Sequence, residues 1–518
     1  IFQYSSVGTY TIPAFTTNGY LTLFPVTNDV TYTIGAGTMS AGGYLFKHNT
    51  AAKTLTIDNS VNNTPMATTV RDFDFSQSTG NVSFTMGSAT YTDIRHWINK
   101  ASSTTLTPGT STVNFTASSN ITSTSQSFYN VIVTAGTATP QDAMIITNNL
   151  TMTGGTLAGA QNITVNGTVA CGVTCGTITT TGGTFTQRIG ASKNFGTSVA
   201  VATVWTFVNL TFSNSSLASA ITITTSTVGS GGITVSGVLT VGSAGDTANT
   251  TLDAGNSSWT LSGTGGNPFQ ILASPQAVLT GNTSTIIYNG NNGSGNTTVQ
   301  STSGYYNLSL NYVSSEDFDL GGNITVANSL TLGQNLVAMD GALLNTTAGN
   351  SYSITAGSIS RQTYGTLTAN ASIITLTGTS GTLFQGTGTF NQGTSTVIVT
   401  SASGTPTLLS AATTFHKLTI NAAGATVINM GAFAPTINNV AGAQLYIQAG
   451  VFNASGASIT GPGGTNGTLQ IDAGATLCLG GTTASTNATC NSGASDTTTR
   501  AMPTFQTYTF AVTSTVSY

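Results

Sequence analysis

Short runs in which Thr, Val and Ile alternate with small polar residues recur along the whole 518-residue chain, and most of them end at glycine. Alternation with a period of two is the pattern of a strand with one buried face, and glycine between such runs marks the turns. The β-branched residues stiffen an extended backbone and disfavour helix. With 61 glycines spread among these runs, the chain is expected to be all-β, strand following turn following strand.

Two phrases repeat within this pattern. The first reads GTSTVNF from Gly109, NTSTIIY from Asn282 and GTSTVIV from Gly393. The second reads FYNVIV from Phe128, FVNLTF from Phe207, YYNLSL from Tyr305 and FHKLTI from Phe415. Its first, fourth and sixth positions are apolar, which we read as one strand opened by an aromatic. Copies of the second phrase start about 80 to 110 residues apart, so several solenoid turns or a small sheet must fill each interval. Runs such as NITVNGTV, GGITVSGVLTV and GGNITVANSLTLG occupy the intervals.

These phrases resemble secreted β-strand-repeat surface proteins, in which TSTVxF, FxNLxI and GNLTV strands alternate. The resemblance covers roughly residues 90 to 480 and its motifs carry little information. It implies a Gly-punctuated repeat architecture, most readily a right-handed β-solenoid, with a string of β-sandwiches as the alternative. It also implies a role in adhesins, surface layers, or extracellular filaments and sheaths, and it supplies no catalytic residues. The organisation expected is an N-terminal β region (1–100) with a candidate docking strand, a repeat body (101–430), and a C-terminal β region (431–518) ending in an amphipathic strand.

Charge narrows the function. Lys, Arg, Asp and Glu make up 5% of the chain and the net charge is −4, so little repulsion opposes association between copies. Ten scattered Lys and Arg offer no basic patch for nucleic acid. No run reaches the roughly 18 to 20 apolar residues of a membrane-spanning helix. Ile1 is read as a mature N-terminus left after a leader is removed, which places the protein outside the cell. Cys171 and Cys175 (CGVTC) and the pair Cys478 and Cys490 read as two local disulfides, or else as bridges between subunits. Asn-x-Ser/Thr sequons, among them Asn120, Asn209, Asn307 and Asn323, are candidate glycosylation sites.

The two ends of the sequence stand out. Phe2, Tyr4, Tyr10 and Ile12 fall on one strand face, as do Tyr508, Phe510, Val512, Val516 and Tyr518 in FQTYTFAVTSTVSY. Each set either closes a sheet of its own chain or adds as a strand to a neighbouring copy. The expected function is therefore a self-assembling subunit of an extracellular filament, sheath or surface layer, its partner being copies of itself. The alternative is a surface adhesin that stacks Trp97, Trp205, Trp259, Tyr305 and Tyr306 on carbohydrate, and a minor one is a β-helical polysaccharide-degrading enzyme.

Chemistry has few residues to work with. Of fourteen acidic residues only Glu316 is a glutamate. The run SSEDFDL gives Glu316, Asp317 and Asp319, a weak Ca²⁺ candidate because six to eight oxygen ligands are needed; solvated strand ends are the simpler reading. Asp72 and Asp74 in RDFDF lie beside Arg71, and His48, His96 and His416 are far apart in sequence. No catalytic residues and no cofactor are expected.

Overall fold

In a computed structural model the chain is described throughout except for residues 4–5, 94, 100–103, 173, 197–203, 226–231, 265, 274–275, 291–294, 312–316, 334–341, 425, 455–457, 480–500 and 518. The described residues contain strands and turns and no helix. Contacts divide them into two compact units, residues 1–259 with 270–278, and residues 260–269 with 279–518. Each unit is a parallel β-solenoid, in which every strand pairs with the strands one turn before and one turn after it.

In the first unit three strands make a turn. Gly8–Ile12, Val30–Ile34, Thr54–Asp58, Asn81–Thr85 and Thr104–Thr107 stack in register on one face. Tyr20–Leu23, Gly43–Phe46, Phe73–Asp74, His96–Ile98 and Ser119–Thr122 stack on a second. A third starts at Met39–Ala41 and runs through Met66–Thr68, Thr90–Asp93 and Thr112–Phe115. Stacking crosses residue 100 without interruption, Tyr91 lying on Val113. The spacing between stacked residues varies from 18 (Thr112 to Asn130) to 30 (Ser192 to Thr222).

The second unit follows the same plan, with Thr285–Tyr288 on Tyr305–Leu310 and Thr396–Val399 on Lys417–Asn421. Ile354–Arg361 runs round a corner: Ile354 to Ala356 stack on Ile374 to Leu376, and Ile359 stacks on Phe384, so one strand serves two faces.

Inward positions alternate with outward ones, and the inward side chains of successive turns touch. Tyr44, Phe73 and Trp97 occupy one register position in three consecutive turns, with ring centroids 4.7 Å and 4.9 Å apart. Such ring pairs add about 0.5–1.5 kcal/mol each beyond the area they bury. Lateral stability comes from the backbone ladder, which needs no charge. Among the described residues only Lys53–Asp29 (3.6 Å) and Arg95–Asp72 (3.7 Å) form ion pairs.

The two sequence phrases are consecutive turns of one face. The fourth residue of the first phrase stacks on the third residue of the second: Thr112 on Asn130, Thr285 on Asn307, Thr396 on Lys417. The first phrase opens on a residue with positive φ, Gly109 (57°), Asn282 (46°) or Gly393 (54°), which explains why Gly or Asn stands there. The second phrase is not the single strand expected. Phe128, Phe207 and Phe415 each end one strand, and Asn130, Asn209 and Lys417 each begin the next. In the third copy the strand is continuous, but its register shifts between Tyr305 and Asn307. The second residue turns the corner. Apolar residues at positions one, four and six all reach the core because the extra corner residue inverts the alternation.

Candidate functional site

Several buried or half-buried carboxylates serve the turns, Asp74 of the RDFDF run among them. Asp246 accepts bonds from Ser213 Oγ (2.9 Å), the Asn214 N–H (2.9 Å) and the Ser243 N–H (2.9 Å). Asp142 accepts the Ser123 N–H (2.8 Å) and hydroxyl (2.9 Å), and Asp74 the Ser76 N–H (2.8 Å) and hydroxyl (2.6 Å). The Thr54 N–H, donating at 2.7 Å, holds the Asp29 carboxyl below the usual range, helped by Lys53. These carboxylates replace missing ladder acceptors where the chain leaves a strand. Asp72, the ion-pair partner of Arg95, joins neighbouring turns.

Asp317 and Asp319 share an outward face of Asp317–Leu320, as their spacing predicts, while Glu316 lies outside the described residues. The residues stacked on them are Asn296, Thr298, Leu343 and Asn345, and Asn296 donates to Asp319 at 2.5 Å. No group of three His, Cys, Asp or Glu side chains among the described residues is placed to hold a metal. His48 is buried, its Nδ1 accepting the Thr50 N–H (3.0 Å) and its Nε2 within 2.8 Å of the Asn28 carbonyl, which makes Nε2 the protonated nitrogen. His96 accepts the Asn120 N–H at 3.2 Å. His416, whose second position in its phrase reads as outward-looking in the sequence, is the corner residue and is buried there, and burial with the adjacent Lys417 pushes its pKa down.

Cys171 is joined to Cys175 within the chain, so this pair does not link subunits. Cys478 is also in a disulfide, and Cys490 lies outside the described residues. The carbohydrate-stacking candidates fare differently. Trp97, Trp205, Trp259 and Tyr305 are core residues, with indole N–H groups bonded to Asn99 Oδ1 (3.1 Å), the Gly176 carbonyl (3.0 Å) and the Ala254 carbonyl (3.2 Å). Only Tyr306 is partly open to solvent.

The sequon asparagines divide into two kinds. Asn209 and Asn307 follow the corner residue of their phrases, and their side-chain amides bond to neighbouring turns, Asn209 Nδ2 to the Gly183 carbonyl (3.2 Å) and Asn307 Oδ1 to Asn328 Nδ2 (2.8 Å). Asn120 and Asn323 are exposed, and their bonds, from Gln141 (3.3 Å) and the Ser353 N–H (2.8 Å), use the side-chain oxygen.

The end strands are both engaged within the chain. Gly8–Ile12 pairs along its whole length with Val30–Ile34, Phe2 bridges to Leu23, and Tyr10 packs against Tyr32 with centroids 6.0 Å apart. Ile12 is buried, Phe2 and Tyr10 are half-buried, and Tyr4 lies outside the described residues. At the other end the expected long strand is two: Thr507–Phe510, a turn closed by the Ser514 N–H on the Ala511 carbonyl (3.0 Å), then Thr515–Ser517. Val516 is half-buried on the second of these, and Tyr518 is outside the described residues.

Thr507–Phe510 carries two of the aromatic residues singled out in the sequence. Tyr508 stacks on Leu469 and Phe510 on Ile471, both core residues, so the two rings occupy inward positions of their turn. They are nonetheless 43% and 46% exposed, and Val512 beside them is fully exposed. No described strand pairs with the outer edge of this turn. The signal was present as aromatic alternation, but alternation cannot tell a covered strand from an uncovered one. No family model matches the chain, and neither does any curated protein or solved structure.

Proposed function

We propose that this protein is a structural subunit that assembles with copies of itself outside the cell, turn stacking on turn. The observation that carries the reading is the pair Tyr508 and Phe510, core positions left uncovered on a strand with a bonding edge to spare. A parallel ladder can be extended at such an edge by any strand of matching direction. The first turn of a second copy has one: Gly8–Ile12 pairs on one side only, among the described residues, and brings Tyr10 and Ile12 to the inward positions. Contact of this kind joins two different surfaces and does not close on itself, so it grows into a filament or sheet. Both end strands are held in their own chain, which favours stacking of whole turns over donation of a free strand. The low charge and the disulfides agree with an exported assembly. Burial of four of the five candidate sugar-stacking rings weighs against the adhesin alternative.

The test is to remove residues 505–518, and separately 1–12, and image each product by negative stain beside the intact chain. Ordered polymers from the intact chain that are lost in both truncated forms support the proposal. A chain that stays a monodisperse monomer at high concentration, or truncated forms that polymerise normally, would refute it.

A further inference from the structure

Arg361 ends the strand Ile354–Arg361 and points inward, 2% exposed, in a molecule whose other described charges lie mostly at the surface. Its guanidinium lies 4.4 Å from the centre of the Phe384 ring and 5.9 Å from that of Phe390. Nη1 donates to the Gly388 carbonyl (2.7 Å), and Nη2 to the Gly386 carbonyl (3.3 Å) and to Thr413 Oγ1 (3.2 Å). The segment that wraps it depends on glycine. A Cβ on Gly386, where φ is 91°, would stand 1.8 Å from the Arg361 carbonyl oxygen, and one on Gly388 would stand 2.2 Å from that of Gly365.

These partners leave the charge unanswered. Carbonyl dipoles and ring faces offset part of the cost of burying a cation, but no carboxylate among the described residues pairs with it. Of its five N–H groups three are engaged, and the buried Nε–H has no acceptor. Beside the guanidinium is a cavity of about 320 Å³, lined also by Thr389, Phe390, Gln392, Thr413 and Thr414. That volume is at the lower end for small-ligand sites. Its lining supplies hydroxyls and an amide around one positive charge, with no acidic side chain to repel an anion.

We propose that this cavity binds a small oxyanion, a carboxylate or sulfate group, which neutralises Arg361. Sulfate itself and the carboxylate of an acidic sugar share this chemistry, and the Thr hydroxyls suit either. The site is independent of the assembly edge at Tyr508.

The experiment follows the melting temperature of the intact chain at constant ionic strength as chloride is replaced by sulfate, acetate or glucuronate. The expected result is a saturable rise of about 2–4 °C, absent in R361M and reduced in R361K. A response to sulfate alone assigns an inorganic anion, and a stronger response to glucuronate than to acetate assigns an acidic sugar. No rise with any of the three, or an equal rise in R361M, overturns the proposal. Should R361M fail to fold, crystals of the unaltered protein soaked in selenate decide: an anomalous peak against the Arg361 guanidinium supports the site and its absence rejects it.

Discussion

The side-chain oxygen of Asn209 accepts the backbone N–H of Val238, one turn further along, at 3.0 Å. The same relation holds between Asn149 and Thr168 (3.0 Å) and between Asn162 and Thr184 (2.8 Å). At a corner the backbone has left the ladder, and an amide reaching forward supplies the acceptor that the ladder no longer provides. Replacing Asn209 by Ala removes this bond and the one to Gly183, and is expected to cost about 1–2 kcal/mol. Replacing the exposed Asn120 by Ala is expected to stay within about 0.5 kcal/mol. Urea melts of the two variants beside the parent chain check the difference.

Glycan occupancy should follow the same division. A sugar on Nδ2 of Asn209 or Asn307 would displace bonds that join adjacent turns, whereas Asn120 and Asn323 present that nitrogen at exposed positions. Peptide mapping of material from a glycosylating host is expected to find sugar at Asn120 and Asn323 and little at Asn209 or Asn307. Full occupancy of Asn209 in folded protein would contradict the assignment of its amide.

Assembly at the Tyr508 edge should be indifferent to salt and sensitive to charge placed on it. At 1 M NaCl the screening length is about 3 Å, yet the edge offers apolar rings and backbone groups and no ion pair. Polymer mass by sedimentation is expected to be unchanged. The double variant F510K/V512K should lose the polymer while keeping its melting temperature, because both side chains are already exposed. Polymer that dissolves in salt, or that tolerates both lysines, would show that another surface is used.

Acid should weaken the second unit through His416. Burial, with Lys417 adjacent, sets its folded pKa below the ordinary 6.5, so the unfolded chain takes up the proton first. Stability from the neutral ring is complete above about pH 6.5 and declines as the pH falls from there towards the folded pKa. The loss of melting temperature between pH 7 and pH 5 should be smaller in H416Q than in the parent chain. Equal losses would mean that His416 does not titrate between the two states.

The all-β class was readable from Thr/Val alternation and glycine spacing, because period two reports burial within a single strand, whereas the solenoid was only what the resemblance implied, with a string of sandwiches left open. The positive φ at Gly109 and Gly393 has its cause in residue type and could be anticipated. Stacking partners could not, since Thr112 meets Asn130 across an 18-residue excursion that no local pattern records. The corner at Tyr129 was visible in principle: aromatic and aliphatic positions one, four and six do not fit one strand, and the broken alternation is the corner itself. Trp97 and Trp259 misled because an aromatic has the same letter inside and outside. Arg361 gave no warning at all, being a single cation in a neutral phrase whose importance rests on two glycines 25 and 27 residues away.

Turns of 18 and of 30 residues stack in the same unit, and the strand pairs Thr112–Phe115 on Asn130–Val133 and Lys193–Gly196 on Ile221–Thr225 keep their register. Turn length therefore varies in this unit while these strands stay in phase. A foreign peptide inserted after Tyr129 or Val208 should be carried on the outside as an additional loop, which makes the fold a natural scaffold for displaying grafted sequences.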